Sequence, residues 1–516
     1  MTRIVIYDTT LRDGAQTEGV LFSAEDKLDV LKALDEFGVD FVEGGWPGSN
    51  PVDDEFFAKS KRLDLKRTRL VAFGSTRRYD IAPEEDPHLR ALVDSGTEWC
   101  CIFGKSWDFQ VEGALGIPLD INLDMVQDSV RFLVDSGKHV IFDAEHFFDG
   151  YKSNPKYAIN VLKAAQMGGA EWLVLCDTNG GSLPSEIAVA TEDALLSVDL
   201  PLGIHAHNDS DLATANTLCA LDRGCQMVQC TVNGMGERCG NTNLCTVLPN
   251  IVYKTGLETS DMDLTKLTAL SRNIGELINI LPRPDMPYVG ETAFTHKGGM
   301  HIAAMTKDTR TYEHIDPSLV GNRRKILVSE MAGKASIIEK LKELDLECGD
   351  DTSDIITKIK EMESKGYQFE GADASFELLV KRLRGELEPR FTVEGFKIMI
   401  DNRLGDMDTE ATIKVLDSEG ELEQTAADGN GPVNALDKAL RKSLIRFFPE
   451  IDDMKLTDYK VRTLDEKSAT AAGVRVLIRS TDGKHSWTTV GVSENVVVAS
   501  LIALVDAIEY KLMIGE

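Results

Sequence analysis

The chain has 516 residues, of which 42% are hydrophobic and 27% charged, and its formal net charge is -29. This length exceeds what one ordinary hydrophobic core holds, and the balanced composition excludes a disordered or fibrous chain, so we expect two or more folded domains. The strong negative charge argues against nucleic-acid binding, which needs a basic surface to displace the counterions of phosphates.

The N-terminal segment and the cysteines predict a cytoplasmic protein without a membrane partner. Residues 1–14 lack the basic region, long apolar stretch and cleavage site of a secretory signal. No apolar run approaches the roughly 18 residues that a membrane span needs. The nine cysteines form no CxxC pair, and several lie in apolar runs where a buried, reduced thiol is expected.

Eight short apolar runs alternate with helical patterns up to about residue 255. They predict strands over residues 4–9, 41–46, 70–74, 99–104, 139–145, 172–178, 202–209 and 227–234. Eight βα repeats in about 250 residues favour a closed (β/α)8 TIM barrel, because an open doubly wound sheet more often has about five to seven strands. We predict a TIM-barrel catalytic domain over residues 1–258.

Helical patterns then replace the alternation, over residues 266–281, 335–344 and 354–366. The stretch GETAFTHKGGMHIAA, residues 290–304, interrupts them with a composition typical of a loop near chemistry. We predict mostly helical linker subdomains over residues 259–387 that contribute to the active site.

Strand alternation returns near the C-terminus in two similar sets. Strands are predicted over residues 391–401 and 409–417 before a helix over 434–448, and over 455–464, 473–480 and 485–492 before a helix over 495–513. This repetition predicts a C-terminal α+β domain over residues 388–516 with internal pseudo-symmetry. Such a form suits dimerisation and a ligand site between the two halves.

Four polar residues are predicted to converge at one end of the barrel. His205 and His207 lie two apart on the seventh strand, so their side chains leave the same face near the strand's C-terminal end. Asp13 follows strand one and Asn241 follows strand eight, and closure of the barrel makes strands seven, eight and one neighbours. Two imidazoles, a carboxylate and an amide oxygen suit divalent Mg, Mn, Zn or Co.

The same residues also have a structural interpretation. His205 and His207 could be hydrogen-bonded strand histidines, and Asp13 could be a helix N-cap. Convergence of all four residues favours the metal site. Arg12, beside Asp13, is placed to stabilise an oxyanion on a polarised carbonyl, and a structural ion pair is the alternative for it.

Further polar residues follow other strands on the same face. Glu145 ends strand five as a candidate acid, base or substrate contact, and Thr178 ends strand six. Asp177, before a helix, is about as often a cap as a catalyst. In the linker, His296 and His301 are both candidate general acids or bases, and the residues alone do not choose between them.

The glycine loop NGMGERCGN, residues 233–241, lacks the dinucleotide fingerprint. We interpret it as shaping the loop that presents Glu237 and Asn241. In so acidic a chain, an anionic substrate would need local positive charge, from the metal or from basic side chains that could equally be solvated surface charges. These side chains are Arg12, Arg77, Arg78, Lys105, Arg323, Arg324 and Lys325.

Three motifs, DTTLRDGAQ at residues 8–16, HAHND at 205–209 and GMGERCGNTN at 234–243, resemble those of acyltransferases related to 2-isopropylmalate synthase. Residues 312–337 resemble the linker of that family, and residues 430–441 and 490–508 resemble its regulatory domain, so the resemblance covers the whole chain. Residues 42–51, 102–108 and 143–152 are most similar to its (R)-citramalate synthase members.

The resemblance implies a metal-dependent Claisen condensation of acetyl-CoA with pyruvate. It implies feedback control, with isoleucine as the expected effector, and a homodimer. It also implies the following roles: metal ligation by Asp13, His205, His207 and, directly or through water, Asn241; contact with the oxo acid by Arg12 and Thr178; assistance to catalysis by Glu145; and completion of the site by His301 and Tyr312 from the partner subunit's linker.

Three alternatives remain open. The first is the same reaction with another 2-oxo acid, as in 2-isopropylmalate or homocitrate synthases. The second is a metal-dependent acyl-CoA lyase or aldolase on the same barrel, which the C-terminal domain disfavours. The third is a non-catalytic metabolite sensor, which the intact set of metal ligands disfavours.

Overall fold

The computed structural model describes residues 3–296, 299–305, 307–326, 341, 352–369, 371–401, 408–464 and 473–515. The chain divides into two compact units, Met1–Phe294 with Ile315–Arg323 and Thr295–His314 with Arg324–Glu516. Each unit is described below by itself. The helix predicted over residues 335–344 lies outside the described residues except for Leu341. The domain boundaries after residues 258 and 387 stay predictions.

The first unit contains eight parallel strands that close into a barrel in sequence order, with β8 paired to β1. The predicted TIM barrel is therefore confirmed. The strands are β1 (Val5–Asp8), β2 (Phe41–Glu43), β3 (Arg69–Ser75), β4 (Trp99–Lys105), β5 (His139–Glu145), β6 (Trp172–Asp177), β7 (Leu202–Ala206) and β8 (Met227–Cys230).

Helices follow the strands around the barrel. They are α1 (Ala24–Phe37), α2 (Pro51–Ser60), α3 (Pro87–Asp94), α4 (Leu119–Asp135), α5 (Phe147–Ser153), α6 (Pro155–Gly168), α7 (Pro184–Ser197), α8 (Ala213–Arg223), α9 (Leu244–Asn250) and α10 (Leu267–Leu277). Single helical turns join them, of which Gly14–Gln16 follows β1 and Val232–Gly234 follows β8.

Local sequence sets the limits of these helices, as α1 illustrates. The Ser23 hydroxyl accepts from the Asp26 N–H, and the Asp26 carboxylate accepts from the Ser23 N–H at 2.8 Å, which makes a capping box. Gly38 ends the helix with a left-handed φ of 98°, a conformation that glycine adopts without steric cost. The chain then enters β2 after two residues.

Apolar side chains form two separate layers, one inside the barrel and one between the strands and the helices. They are separate because successive strand residues point to opposite faces. Tyr7, Cys101 and Ile141 belong to the cluster inside the barrel. Ile6 and Phe142, each one position along from these, belong to the larger cluster between strands and helices. The same alternation aims residues at the carboxyl ends of the strands into the barrel mouth.

The second unit contains a short parallel pair, two three-stranded antiparallel sheets and several helices. Its strands are β9 (Thr295–His296), β10 (Lys325–Ile326), β11 (Phe391–Asp401), β12 (Asp408–Asp417), β13 (Leu422–Gly429), β14 (Lys455–Thr463), β15 (Val474–Thr481) and β16 (Ser486–Ser493). Its helices are α11 (Gly299–Met305), α12 (Thr352–Ser364), α13 (Asp373–Leu383), α14 (Pro432–Leu444) and α15 (Val496–Ile514).

The predicted C-terminal α+β architecture with two similar halves is confirmed. Helix α14 packs on the sheet β11-β12-β13, and α15 packs on β14-β15-β16. Strand β13 was not predicted, because LEQTAADG offers a single large apolar side chain, Leu422, which is 56% exposed. Its continuous pairing with β12 supplies the order that its own composition does not.

Among the described residues, no helix combines the length and the apolar character that crossing a lipid bilayer requires.

Candidate active site at the barrel mouth

Asp13, His205 and His207 meet at the mouth of the barrel, as the sequence predicts. Nε2 of His205 lies 3.2 Å from the Asp13 carboxylate, Nε2 of His207 lies 3.9 Å from it, and the two Nε2 atoms are 3.3 Å apart. All three side chains are buried. Their potential ligand atoms lie within 4.8 Å of one another, which is compact enough for one ion to contact them all.

A hydrogen-bond chain orients His205 within this cluster. Nδ1 of His205 lies 2.7 Å from the Gln229 amide oxygen, and the Gln229 amide nitrogen donates to Asp143 at 2.9 Å. Because an amide oxygen only accepts, Nδ1 of His205 carries a proton, and this hydrogen bond directs Nε2 toward Asp13 and His207. Asp143 therefore helps to orient the His205 imidazole through Gln229.

Burial and neighbouring charges shift the pKa values of the cluster. Burial alone would raise the pKa of Asp13, but Arg12 and His205 outweigh it and lower that pKa below its usual range. Burial, and then the neighbouring His205, lower the pKa of His207 to about 3. The carboxylate is therefore ionised and His207 neutral at pH 7, the states in which both can bind a cation.

Asn241 reaches the same cluster through its amide. Its nitrogen donates to Asp13 at 2.6 Å, and its buried oxygen has no partner among the described residues. A side chain on Gly236 would stand 2.1 Å from that oxygen, and the φ of Gly236 is +156°, so glycine is required there. Direct ligation by the amide oxygen would need a half-turn of the amide group, whereas ligation through water would not.

Arg12 is held rigidly beside the cluster. Its Nε donates to Glu43 at 2.5 Å, its guanidinium carbon lies 3.9 Å from the centre of the Phe73 ring, and Asp13 lies 3.6 Å away. Glu43 also accepts from the Tyr7 hydroxyl at 2.8 Å. Burial alone would lower the pKa of Arg12, but Glu43 and Asp13 raise it, so the side chain stays a fixed cation.

Glu145 and Thr178 also line the mouth. Glu145 forms an ion pair with Lys105, its neighbour across strands β5 and β4. Thr178 follows β6, and its hydroxyl accepts from the backbone N–H of His146 at 2.8 Å. Lys105 is thus paired with a residue of the site and is not an isolated surface charge.

A cavity of about 250 Å³ joins these groups. It is lined by Arg12, Asp13, Gln16, Trp46, Phe73, Phe103, Asp143, Glu145, Cys176, Thr178, His205, His207, Glu237 and Arg238. One side is aromatic, since Trp46, Phe73 and Phe103 contact one another with ring centres 5.6 to 5.9 Å apart. The lining also carries the Asp13 carboxylate, the two imidazoles and the Arg12 guanidinium, which lies over the Phe73 ring, so the cavity suits a small polar molecule.

Asp177 does not point into this cavity. It accepts from the Ser182 hydroxyl at 2.9 Å and from the Asn216 amide at 3.4 Å, on the helix side of β6. This position follows from strand alternation, because its neighbours Cys176 and Thr178 take the inward face. Its role is to tie the start of α7 to the strand.

The two linker residues implied by the resemblance belong to the second unit. His301 and Tyr312 are both exposed, and their rings stack with centres 4.0 Å apart. His296 is instead partly buried, with Nε2 lying 3.2 Å from Glu313, which Arg324 also contacts. Of the two candidate histidines, His301 is thus exposed, whereas His296 is held by the carboxylate of Glu313.

The other basic candidates have structural contacts or lie at the surface. Arg77 donates to the backbone carbonyls of Arg78, Tyr79 and Ile81 and pairs with Asp128 at 3.0 Å. Arg78 is exposed. Arg323 is exposed, and Arg324 binds Glu313 within the second unit.

Sequence reasoning missed Glu43 and Arg238. Glu43 has a visible signal, because a glutamate inside the apolar strand FVEGGW must find a partner when it is buried. Arg238 had a weaker one, its place in the glycine loop GMGERCGN. It donates to Asp209 at 2.8 Å and to the Thr178 carbonyl at 2.7 Å, and it lines the cavity.

The donor set fits a divalent metal. A carboxylate oxygen and two imidazole nitrogens form a mixed set that suits Mg, Mn, Zn or Co, and the Asn241 amide oxygen is a buried acceptor without a partner beside them. Asp13, His205 and His207 all line the cavity, so a metal held by them would be accessible to a substrate there.

Three family models match consecutive parts of the chain. Residues 3–274 match the HMGL-like model, residues 288–367 match the homocitrate synthase post-HMGL domain-like model, and residues 370–512 match the LeuA allosteric (dimerisation) domain. These matches cover the barrel, the linker and the C-terminal region.

Curated relatives match along the full length. An (R)-citramalate synthase of Aquifex aeolicus is 51% identical over 100% of this chain and 98% of its own length, and that of Geobacter sulfurreducens is 49% identical over 100% and 99%. A 2-isopropylmalate synthase of Methanocaldococcus jannaschii is 31% identical over 98% of this chain and 94% of its own. The chain therefore belongs to the acyltransferase family of (R)-citramalate synthases and 2-isopropylmalate synthases.

Proposed function

We propose that the chain condenses acetyl-CoA with pyruvate and water to give (R)-citramalate and CoA. The observation that carries this proposal is the buried Asp13–His205–His207 cluster beside Arg12 in a cavity of about 250 Å³. Such a cavity has room for a small 2-oxo acid. The names of the two relatives that are about half identical to this chain support pyruvate as the acceptor.

The metal would be held by Asp13, His205, His207 and, directly or through water, Asn241. When bound, it supplies Lewis acidity to the carbonyl of the oxo acid, which makes C2 electrophilic. Arg12 offsets the charge that develops on the carbonyl oxygen. Because Glu43 and Phe73 already fix the guanidinium, this stabilisation needs little reorganisation during the reaction.

Thr178 is proposed to bind the carboxylate of the oxo acid. A base then removes a methyl proton of acetyl-CoA, and the resulting enolate attacks C2. Glu145 assists this step from the mouth, next to Lys105. His301 and Tyr312 complete the site from the partner subunit of a homodimer, and His301 is the proposed base. Water then cleaves the thioester and releases CoA.

We further propose that isoleucine inhibits the enzyme by binding to the C-terminal domain. The reaction would be the first step of the pyruvate route to isoleucine, in the cytoplasm. The match of residues 370–512 to an allosteric (dimerisation) domain supports both the effector and the homodimer.

The acceptor is tested by measuring thiol release from acetyl-CoA with four 2-oxo acids side by side. Pyruvate is expected to give the highest kcat/KM, ahead of 2-oxobutyrate, 2-oxoisovalerate and 2-oxoglutarate, because the aromatic side of the cavity restricts the substituent on C2. Preference for 2-oxoisovalerate or 2-oxoglutarate would instead identify a 2-isopropylmalate or homocitrate synthase. Release of thiol with none of them would overturn the proposal.

Feedback is tested by deleting residues 388–516. The full chain is expected to lose activity as isoleucine is added, and the shortened chain is expected to be insensitive to it. Leucine added to the full chain is the control for effector identity. Undiminished inhibition of the shortened chain by isoleucine would contradict the regulatory role of the C-terminal domain.

A further inference from the structure

Thr178 is held from two sides by neighbouring loops. The backbone N–H of His146, after β5, donates to its hydroxyl oxygen at 2.8 Å. The guanidinium of Arg238, after β8, donates to its carbonyl oxygen at 2.7 Å. The same guanidinium makes a two-point contact with Asp209, after β7, at 2.8 and 3.0 Å. One threonine thus links the loops that follow four consecutive strands.

Both residues that hold Thr178 have a sparsely populated backbone conformation. Six non-glycine residues of the described chain have left-handed φ angles, and His146, at 58°, and Arg238, at 53°, are two of them. Such a conformation is uncommon for residues other than glycine, and it persists where surrounding contacts impose it. Two of these six residues contact Thr178, one at its hydroxyl and one at its carbonyl, which indicates that the position of Thr178 matters to the molecule.

The contact with His146 decides what the Thr178 hydroxyl can do. A hydroxyl has one proton to donate, and here its oxygen already accepts from a backbone N–H. None of the described residues accepts the proton of this hydroxyl, and Thr178 lines the cavity. Thr178 is therefore prepared as a hydrogen-bond donor to an acceptor inside the cavity.

The geometry points to Arg238 as a positioning residue that acts through Thr178. It fixes the Thr178 backbone while His146 fixes the hydroxyl, so that the hydroxyl donates to the carboxylate of the bound 2-oxo acid. This inference rests on the proposed function for the identity of that acid. A carboxylate common to all 2-oxo acids is the group that Thr178 recognises, so Arg238 governs acceptor binding and leaves acetyl-CoA binding unaffected.

The test is a double-mutant cycle on the metal-loaded full chain, with thiol release measured against pyruvate at saturating acetyl-CoA. Arg238→Met and Thr178→Ala are each expected to raise the KM for pyruvate about tenfold, as loss of a hydrogen bond to a charged group does. The double variant is expected within about twofold of Thr178→Ala alone, because residues that act as a unit are not additive. Thr178→Ser keeps the hydroxyl. Adding Arg238→Met to Thr178→Ser should therefore again raise the KM for pyruvate.

Two controls separate this role from a general effect on the fold. Arg223→Met removes another guanidinium that is 40% exposed and paired to a glutamate at 2.8 Å, and it should leave both KM values unchanged. Asp209→Asn removes the shorter of the two ion pairs of Arg238 and leaves its pair with Glu237 and its contact with the Thr178 carbonyl, so its effect should be smaller than that of Arg238→Met. The KM for acetyl-CoA should stay within about twofold in every variant.

Several results would overturn the inference. If the KM increases of the two single variants multiplied in the double variant, Arg238 would contact the substrate itself. An equal rise in the KM for acetyl-CoA, or an Asp209→Asn effect as large as that of Arg238→Met, would indicate a loop-stabilising role only. A wild type that uses a different 2-oxo acid would instead overturn only the acceptor in the proposed function, because the same cycle measured with that acid still tests the role of Arg238.

Discussion

The barrel and the second unit each contribute candidate catalytic residues, but in opposite environments. In the barrel, His205 and His207 are buried, and side chains from three other strands or loops surround them. In the second unit, His301 and Tyr312 come from one short stretch of chain and are exposed. The barrel group is therefore preorganised by its own unit, whereas the exposed pair needs a covering surface before it can act in a water-excluded site.

The largest effect is expected from breaking the buried group. His207→Ala should lower kcat/KM at least about a thousandfold, because it removes one of few metal ligands and with it the Lewis acid. The bound metal, measured by elemental analysis after gel filtration, should fall in parallel. His485→Ala is the control, since His485 is 62% exposed on the β15–β16 hairpin. Normal turnover and metal content in His207→Ala would remove the metal assignment.

The exposed pair is tested next. His301→Ala should lower kcat about a hundredfold, as loss of a general base does, while the bound metal stays at the wild-type level. His296→Gln is the matched control, because His296 lies in the same segment but is held by Glu313. A greater loss in His296→Gln than in His301→Ala would reverse the choice between the two histidines.

A smaller effect is expected from loosening Arg12. Glu43→Gln removes the buried charge that fixes the guanidinium, and kcat should fall about tenfold because the oxyanion contact becomes less well oriented. Tyr7→Phe removes the other hydrogen bond of Glu43 and leaves Arg12 in place, so it should change kcat less than about threefold. If Glu43→Gln and Tyr7→Phe lowered kcat equally, the loss would come from a change in the strands around Glu43 and not from the orientation of Arg12.

The last prediction concerns the stability of the barrel and not its catalysis. Burial raises the pKa of Asp8 from 3.8 to about 7, so the folded barrel keeps a proton there that the unfolded chain has already lost. From about pH 4 to about pH 7, the unfolding free energy of the wild type should therefore fall relative to that of Asp8→Asn. The fall should reach about 4 kcal/mol at most and level off above pH 7.

Denaturant unfolding of each variant and of the wild type at several pH values measures this difference. Asp506→Asn, in the second unit, is a companion variant, because burial also raises the pKa of Asp506. Its difference from wild type should have the same sign. A pH-independent difference for Asp8→Asn would show that this carboxyl ionises normally in the folded barrel.

Much of the barrel could be predicted because its signals are local. Each strand is a short apolar run between helical patterns, and the number of repeats indicates closure. The pair His205 and His207 follows from the two-residue period of a strand, and Asp13 from its place after β1. Strand β13 escaped prediction because its order comes from pairing with β12 rather than from its own side chains.

The sequence by itself determined which residue types stand at the carboxyl ends of the barrel strands, and the family resemblance assigned them their expected roles. Only the tertiary structure decided how these residues are held: that Glu43 and Phe73 fix Arg12, that Asp177 turns to the helices, and that Arg238 reaches Thr178. The physical reason is that these contacts join side chains from loops far apart in the chain. Strand periodicity predicts the face that a residue occupies, but a partner is chosen only when the closed barrel brings the loops together.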